Sequence, residues 1–389
     1  MQFFGVPFTV FGDDALQYLN TILGKRAFII TDKNIVKLGL IELIGAELKQ
    51  ANIDWKVFDE VEPDPSIQTV IKSATLAKDF KPDLIIGVGG GSCMDAAKST
   101  LVCYGANIAP LDMSPSDFYN LRATARLICI PTTSGTGSEA TWAIVLTDTE
   151  NQRKIALGSY ETLPDIAILD PRMVMSMPPQ ITGDTGMDAL CHAIEGYTAT
   201  WRTSFTDGPG LMAIRIVFEN LKKAYDNGKD EEARKQMMCA ASMGGTCFGN
   251  GMAGLGHSTG HAIGGLFHMP HGRAVGLYLP YTMEYLINGS EETTRRYAEI
   301  ARFCNLAEGD DKSCALQLVK AVRELARSVG QPLTVRDAGI KREDYMNAMA
   351  GLVERAVNEA MTIAVTRVPE ADDLEKIFIC AYDGTPCNF

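Results

Sequence analysis

Histidine is scarce in this chain, with five residues in 389. Other features are absent altogether. No Lys/Arg run accompanies the net charge of −12, which argues against partners built on phosphate backbones and against anionic membrane surfaces. No apolar run reaches the about 18 residues that a membrane-spanning helix needs. The opening Met1-Gln-Phe-Phe-Gly-Val-Pro-Phe is apolar but lacks a basic n-region and a small-residue cleavage site, so no signal peptide is expected. None of the ten cysteines forms a C-x-x-C pair. Most lie in apolar stretches such as Leu127-Ile-Cys129-Ile, as expected of buried free thiols in a reducing cytoplasm.

What is present is ordinary in bulk and specific in detail. The composition, 46% hydrophobic and 22% charged, suits a soluble globular protein, and 42.2 kDa suits two domains. The first part alternates apolar runs with amphipathic stretches. Strands are expected at 26–31, 55–58, 83–88 and 127–131, and helices at 34–50, 66–80 and 92–103. A hairpin is expected from Thr141–Thr147 and Arg153–Leu157 around the polar turn 148–152, and 165–171 looks like a last strand closing the sheet. Continuous apolar strands alternating with helices imply a parallel sheet covered on both faces. From about Ile181 onward the patterns are helical, for example at 210–223, 231–243, 293–303 and 343–356. The expected organisation is therefore an α/β domain over 1–180 and an all-α domain over 181–389.

Two polar turns stand at the carboxyl ends of expected strands, where α/β sheets bind ligands. The first, Gly87-Val-Gly-Gly-Gly91-Ser92, opens a helix. Glycines allow close backbone approach to a phosphate, and the helix start offers free N–H groups. It is not the G-x-G-x-x-G fingerprint, and it follows a later strand. The second is Pro131-Thr-Thr133-Ser-Gly-Thr-Gly-Ser138-Glu139. Asp32, after the first buried strand, can accept from a ribose 2′-hydroxyl and repel a 2′-phosphate, which favours NAD over NADP; an ordinary helix cap is the alternative.

All five histidines fall between His192 and His271, and four of them between His257 and His271. Asp188 and His192 are spaced i,i+4, as are His257 and His261, so each pair shares one helix face. Imidazole and carboxylate without thiolate suit Fe(II) or Zn(II) and argue against a thiolate-rich structural zinc site. Four protein ligands can come from Asp188, His192, His257 and His271. His261, one turn beyond His257, is placed near the reacting atoms as a proton relay or substrate contact. Pro270 disfavours helix just before it, so His268 and His271 are expected at a helix end or loop, with His268 either in the substrate pocket or at the surface. Glu195 is a candidate buttress for the metal site or a helix-face charge.

Taken together, Gly89-Gly-Gly-Ser-Cys-Met-Asp95-Ala-Ala-Lys98, Pro131 to Glu139, Thr185-Gly-Met-Asp188-Ala-Leu-Cys-His192-Ala-Ile-Glu195 and His257-x3-His261-x9-His271-Gly272 resemble the iron-dependent (group III) alcohol dehydrogenase family over essentially the whole chain. The resemblance implies an α/β N-terminal dinucleotide-binding domain with a parallel sheet plus an all-α C-terminal domain, the fold shared with dehydroquinate synthase, and an active site in the cleft between them. It implies Asp188, His192, His257 and His271 as metal ligands and His261 beside nicotinamide and substrate. It places Gly89, Gly90, Gly91 and Ser92 on the pyrophosphate, Thr132 and Thr133 on the cofactor, and Asp95 and Lys154 on the cofactor side. The chain departs from the common pattern at Thr366-Arg367-Val368-Pro369, where many relatives carry Asn-Pro-Arg, and at Trp142-Ala143.

The expected activity is reversible hydride transfer between NAD(H) and a small alcohol or aldehyde. Fe(2+) is the expected metal, Zn(2+) the alternative. Trp142, Ala143, Phe248 and His268 are expected to shape the substrate pocket. A cytoplasmic homo-oligomer, dimer or higher, is expected, with no nucleic-acid or membrane partner. Two alternatives are a dehydroquinate synthase-like lyase or polyol-phosphate dehydrogenase, which would gather several basic residues at the site, and a non-catalytic metal- or nucleotide-binding protein.

Overall fold

The computed structural model describes residues 3–389 apart from Ser116 and Gln152. Met1, Gln2 and the Gln152 position of the hairpin turn thus lie outside the described residues. The chain divides into two compact units, Met1–Met177 and Pro178–Phe389.

In the first unit, six parallel strands form one sheet in the order β1 (Phe8–Phe11), β8 (Ile166–Leu169), β5 (Arg126–Pro131), β4 (Leu84–Gly89), β2 (Arg26–Ile30), β3 (Asp54–Phe58). Residues of β2, β4 and β5 such as Phe28, Ile29, Ile85, Ile86, Leu127 and Ile128 are fully buried, the signature of a sheet covered on both faces. Phe28, Ile30, Ile85, Leu127 and Cys129 pack in one core with Val70, Ala74 and Ala77 of α3 (Ile67–Phe80) and with Met94, Ala97 and Leu101 of α4 (Gly91–Gly105). The α3 helix starts where the Ser66 hydroxyl accepts from the Thr69 amide at 3.1 Å. The chain leaves β2 toward β3 on one side and leaves β4 toward β5 on the other. The sheet therefore reverses its winding between the adjacent strands β2 and β4, the place where open α/β sheets leave a crevice for ligands. A separate antiparallel hairpin joins β6 (Ala143–Asp148) and β7 (Arg153–Gly158).

Three features differ from the sequence reading. The helix expected over 34–50 is two helices, α1 (Lys33–Lys37) and α2 (Leu40–Gln50), because Gly39 takes a left-handed φ of 73° between them. The strand at 166–169 does not close the sheet; Phe8–Phe11 pairs outside it and takes the edge. The helix expected over 343–356 is divided at Ala348, whose amide is shared between the carbonyls of Asp344 and Tyr345 at 3.1 and 3.2 Å.

Every regular element of the second unit is a helix. Its helices are α5 (Pro179–Thr198), α6 (Ser204–Asp226), α7 (Glu231–Gly251), α8 (Leu255–Phe267), α9 (His271–Ile287), α10 (Glu291–Phe303), α11 (Asp311–Ser328), α12 (Arg342–Asn347), α13 (Met349–Asn358) and α14 (Ala371–Asp383). Asp230, Ser290 and Asp310 accept from backbone amides at the starts of α7, α10 and α11. The central helices α5 and α9 are buried around most of their circumference, as their near-continuous apolar and small residues require.

Candidate metal centre and nucleotide turn

Three helices of the second unit carry the titratable cluster. Asp188 and His192 project from one face of α5, His257 and His261 from one face of α8, and His271 opens α9. The α8–α9 connection is three residues long, and His268 supplies its left-handed step with φ 53°. This short hairpin brings His271 back to His257, with ring centroids 5.4 Å apart. Gly272 sets the other contact: a Cβ there would lie 2.2 Å from the Asp184 carbonyl oxygen, so only glycine lets α9 start this close to α5.

The result is a convergent donor set. From Asp188 Oδ1, the Nε2 atoms of His271, His257 and His192 lie at 3.2, 3.7 and 3.8 Å. One ligand atom from each of the four residues falls within 4.8 Å of every other. Asp188, His192 and His257 are buried, while the His271 side chain is 38% exposed. Burial pushes the His192 imidazole down to about 3 and holds His257 well below the usual histidine range, so both present neutral lone pairs at neutral pH. Burial works against the Asp188 carboxylate, but the surrounding imidazoles outweigh it and hold the group below the usual carboxylate range. Asp188 Oδ1 and His257 Nε2 are buried without a hydrogen-bond partner. Buried acceptors left without a partner are costly, and a divalent cation among them would remove that cost. The residues therefore fit a metal ion.

The surroundings orient the donors. Glu195, one turn beyond His192, bonds His257 Nδ1 through Oε2 and accepts the Gly256 amide at 2.5 Å through Oε1. Burial raises this carboxyl to about 7 against the pull of those amides. With Nδ1 engaged, Nε2 of His257 is left for the cluster. Phe248 of α7 stacks on His192 with centroids 4.0 Å apart and 13° between planes, and so braces that ring. His261 is 28% exposed and lies 5.1 Å from the His271 ring, and its Nδ1 meets Glu359 Oε1 at 3.2 Å. Sequence reasoning missed Glu359, because it is 98 positions from His261 and belongs to no motif. His268 is exposed in its turn.

The rival basic-site chemistry finds little support here. Arg273 is held by Asp184 at 3.1 Å, Arg202 by Asp207 and Glu292, Arg215 by Glu219, and buried Arg234 donates to Thr182.

In the first unit, Gly89 ends β4 with φ 148°, and a Cβ there would lie 2.5 Å from Cys93 Sγ. Gly90 caps α4 and Ser92 stands in its first turn. The Thr132 amide donates to the Gly89 carbonyl at 2.9 Å, which joins the two polar turns. The hydroxyls of Thr133 and Ser134 are buried without a partner. A helix start with free amides and orphaned hydroxyls beside it fits an anionic, oxygen-rich group such as a pyrophosphate.

The remaining candidates in this unit are placed as follows. Asp32 caps α1, accepting from Asn34 and Ile35 amides at 2.7 and 3.2 Å, and its other oxygen receives the Cys93 thiol at 3.6 Å. Lys154 pairs with Asp64 at 2.6 Å, and the Asp64 amide donates to Ser92 Oγ at 3.3 Å, so Lys154 stands one residue removed from the glycine-rich turn. The two oxygens of Asp95 accept from Ser138 Oγ at 2.7 Å and the Val145 amide at 2.9 Å. Trp142 packs on Tyr160 at 5.5 Å, and the Ala143 carbonyl accepts from Lys98 at 2.8 Å.

Known proteins resemble this chain along its length. A family model described as iron-containing alcohol dehydrogenase matches residues 7–171, and its C-terminal counterpart, described as the Fe-containing alcohol dehydrogenase family, C-terminal, matches residues 182–382. The NADPH-dependent butanol dehydrogenase of Clostridium saccharobutylicum is 37% identical over 100% of both chains. Aldehyde-alcohol dehydrogenase 2 of Entamoeba histolytica is 36% identical over 98% of this chain, which spans 47% of that longer protein. The solved structure of an alcohol dehydrogenase from Oenococcus oeni matches with a TM-score of 0.90 at 30% identity, covering 98% of this chain and 100% of that one.

Proposed function

This chain belongs to the iron-containing alcohol dehydrogenase family, and on that premise we propose that it reversibly interconverts a small primary alcohol and its aldehyde with NAD(H) and Fe(2+). The observation that carries the reading is the convergent donor set of Asp188, His192, His257 and His271, in which Asp188 Oδ1 and His257 Nε2 are buried without a hydrogen-bond partner. When bound, the divalent metal (Fe(2+), with Zn(2+) the alternative) supplies Lewis acidity toward the substrate oxygen, and the nicotinamide supplies or accepts the hydride.

The chain's own residues do the rest. Asp188, His192, His257 and His271 hold the metal, and Glu195 fixes the tautomer of His257. His261 moves the substrate's hydroxyl proton. With Nδ1–H donated to Glu359, its Nε2 is left free to accept or return that proton. Gly89, Gly90, Gly91 and Ser92 bind the pyrophosphate through backbone amides, with Thr132 and Thr133 beside them. The Asp32 carboxylate at the end of β2 disfavours a 2′-phosphate, and this supports NAD despite the NADPH-dependent relative. Trp142, Ala143, Phe248 and His268 are the proposed pocket residues.

Ten free cysteines suit a reducing cytoplasm, and no helix among the described residues is long and apolar enough to cross a membrane. Phe8 and Phe11, 60% and 68% exposed on the edge strand, support a homo-oligomer.

The test is NADH oxidation by protein purified without oxygen and loaded with Fe(II), across short aldehydes, beside a metal-stripped control. Metal-dependent turnover is expected. NADH binding with no turnover on any aldehyde would return weight to the lyase or non-catalytic reading.

A further inference from the structure

Lys98 is fully buried, as very few lysines are. Its ammonium group donates to Ser138 Oγ at 2.7 Å, Thr141 Oγ1 at 3.3 Å and the Ala143 carbonyl at 2.8 Å, and lies 3.7 Å from Asp95 Oδ1. The Ser138 hydroxyl donates in turn to Asp95, whose second oxygen accepts the Val145 amide. Three segments meet in this closed network: helix α4, which starts at the glycine-rich turn, the loop from Thr132 to Thr141, and hairpin strand β6. The two turns also touch directly, since a Cβ on Gly91 would lie 3.1 Å from Thr136 Cγ2.

A buried ion pair adds little net stability compared with apolar residues of the same size, so its value here lies in geometry. We propose that Lys98 and Asp95 are positioning residues for the dinucleotide: they clamp the 132–141 loop onto α4 and so set Thr132 and Thr133 against the amides of Gly90 to Ser92. This rests on the proposed function, in that it takes the glycine-rich turn as the pyrophosphate site. Neither side chain touches the cofactor; both act through the loops.

The test compares the metal-loaded wild-type enzyme with the D95N/K98M double variant and with S138A. The double variant removes both charges, while the Asp95→Asn change keeps the carboxylate's shape. The readouts are NADH and NADPH dissociation constants by fluorescence titration, thermal midpoint, metal content, and KM and kcat for NADH. In the double variant the NADH dissociation constant and KM are expected to rise about tenfold, with kcat at saturating NADH and metal content close to wild type. Rescue is expected from K98R, which keeps the charge and donors. A double variant that is folded and binds NADH as tightly as wild type would overturn the proposal. A purely structural role also overturns it, and would appear as a lowered midpoint with unchanged affinity. Should the double variant fail to fold, S138A decides, with weakened binding expected and unchanged binding against the proposal. Wild-type enzyme that binds neither dinucleotide overturns the underlying function, and this inference with it.

Discussion

The two candidate sites are built from opposite materials. In the helical unit the site consists of side chains: one carboxylate and three imidazoles, mostly buried, on the rigid faces of α5, α8 and α9. In the α/β unit it is mainly backbone: amides of a helix start and hydroxyls of small residues on turns. A side-chain site fails at a single residue, because each donor is unique. A backbone site fails by displacement, because many weak donors must keep their relative places. The two should therefore respond differently to substitution, and each should survive damage to the other.

The largest effect is expected from His257→Ala, which should remove bound metal and activity together while NADH binding persists. Metal analysis and NADH titration on one preparation check both halves, and loss of NADH affinity would show that the sites are not independent. Next comes His261→Ala, expected to keep its metal and lose about 10²–10⁴-fold in kcat as a proton-relay role requires. Metal loss in that variant would undo the separation of His261 from the ligands. Replacing Glu195 by Gln should weaken metal affinity by roughly 10–100-fold, as removal of a ligand's orienting partner does, measurable by competition with a chelator. The smallest effect belongs to Asp32→Gly. The cap tolerates glycine at a cost of only about a few tenths of a kcal/mol. The ratio of NAD to NADP specificity constants should nevertheless fall, with metal content untouched. An unchanged ratio would reduce Asp32 to its cap role.

The same contrast governs what could be read from the sequence. The histidines were legible because they are rare and because i,i+4 spacing means one helix face without knowledge of the fold. Most sheet strands were legible as continuous apolar runs, but their order was not: nothing in Phe8-Thr-Val-Phe11 says that it pairs outside Ile166–Leu169. The break at Gly39 hides in an otherwise helical pattern, since one glycine is tolerated within a helix and only its φ decides. Lys98 and Asp95 were visible as parts of a motif, yet the Lys98 partners Ser138, Thr141 and Ala143 lie 40 or more positions on, where spacing carries no information. Glu359 and Asp64 meet their partners only through tertiary packing.

Helix α5 carries Asp188, His192 and Glu195 within about two turns, so the relations among these three groups are those of the helix itself. This yields a map of where the chain can accept extra residues. The connections at 199–203, 227–230 and 304–310 join helices without fixing any donor, and lengthening them should leave the metal centre in place at a small entropic cost. The three-residue turn His268–Pro270 is the exception, because it joins the helix of His257 directly to His271. A single inserted residue there would be felt at the centre as strongly as the loss of a ligand, although the turn need contribute no ligand itself.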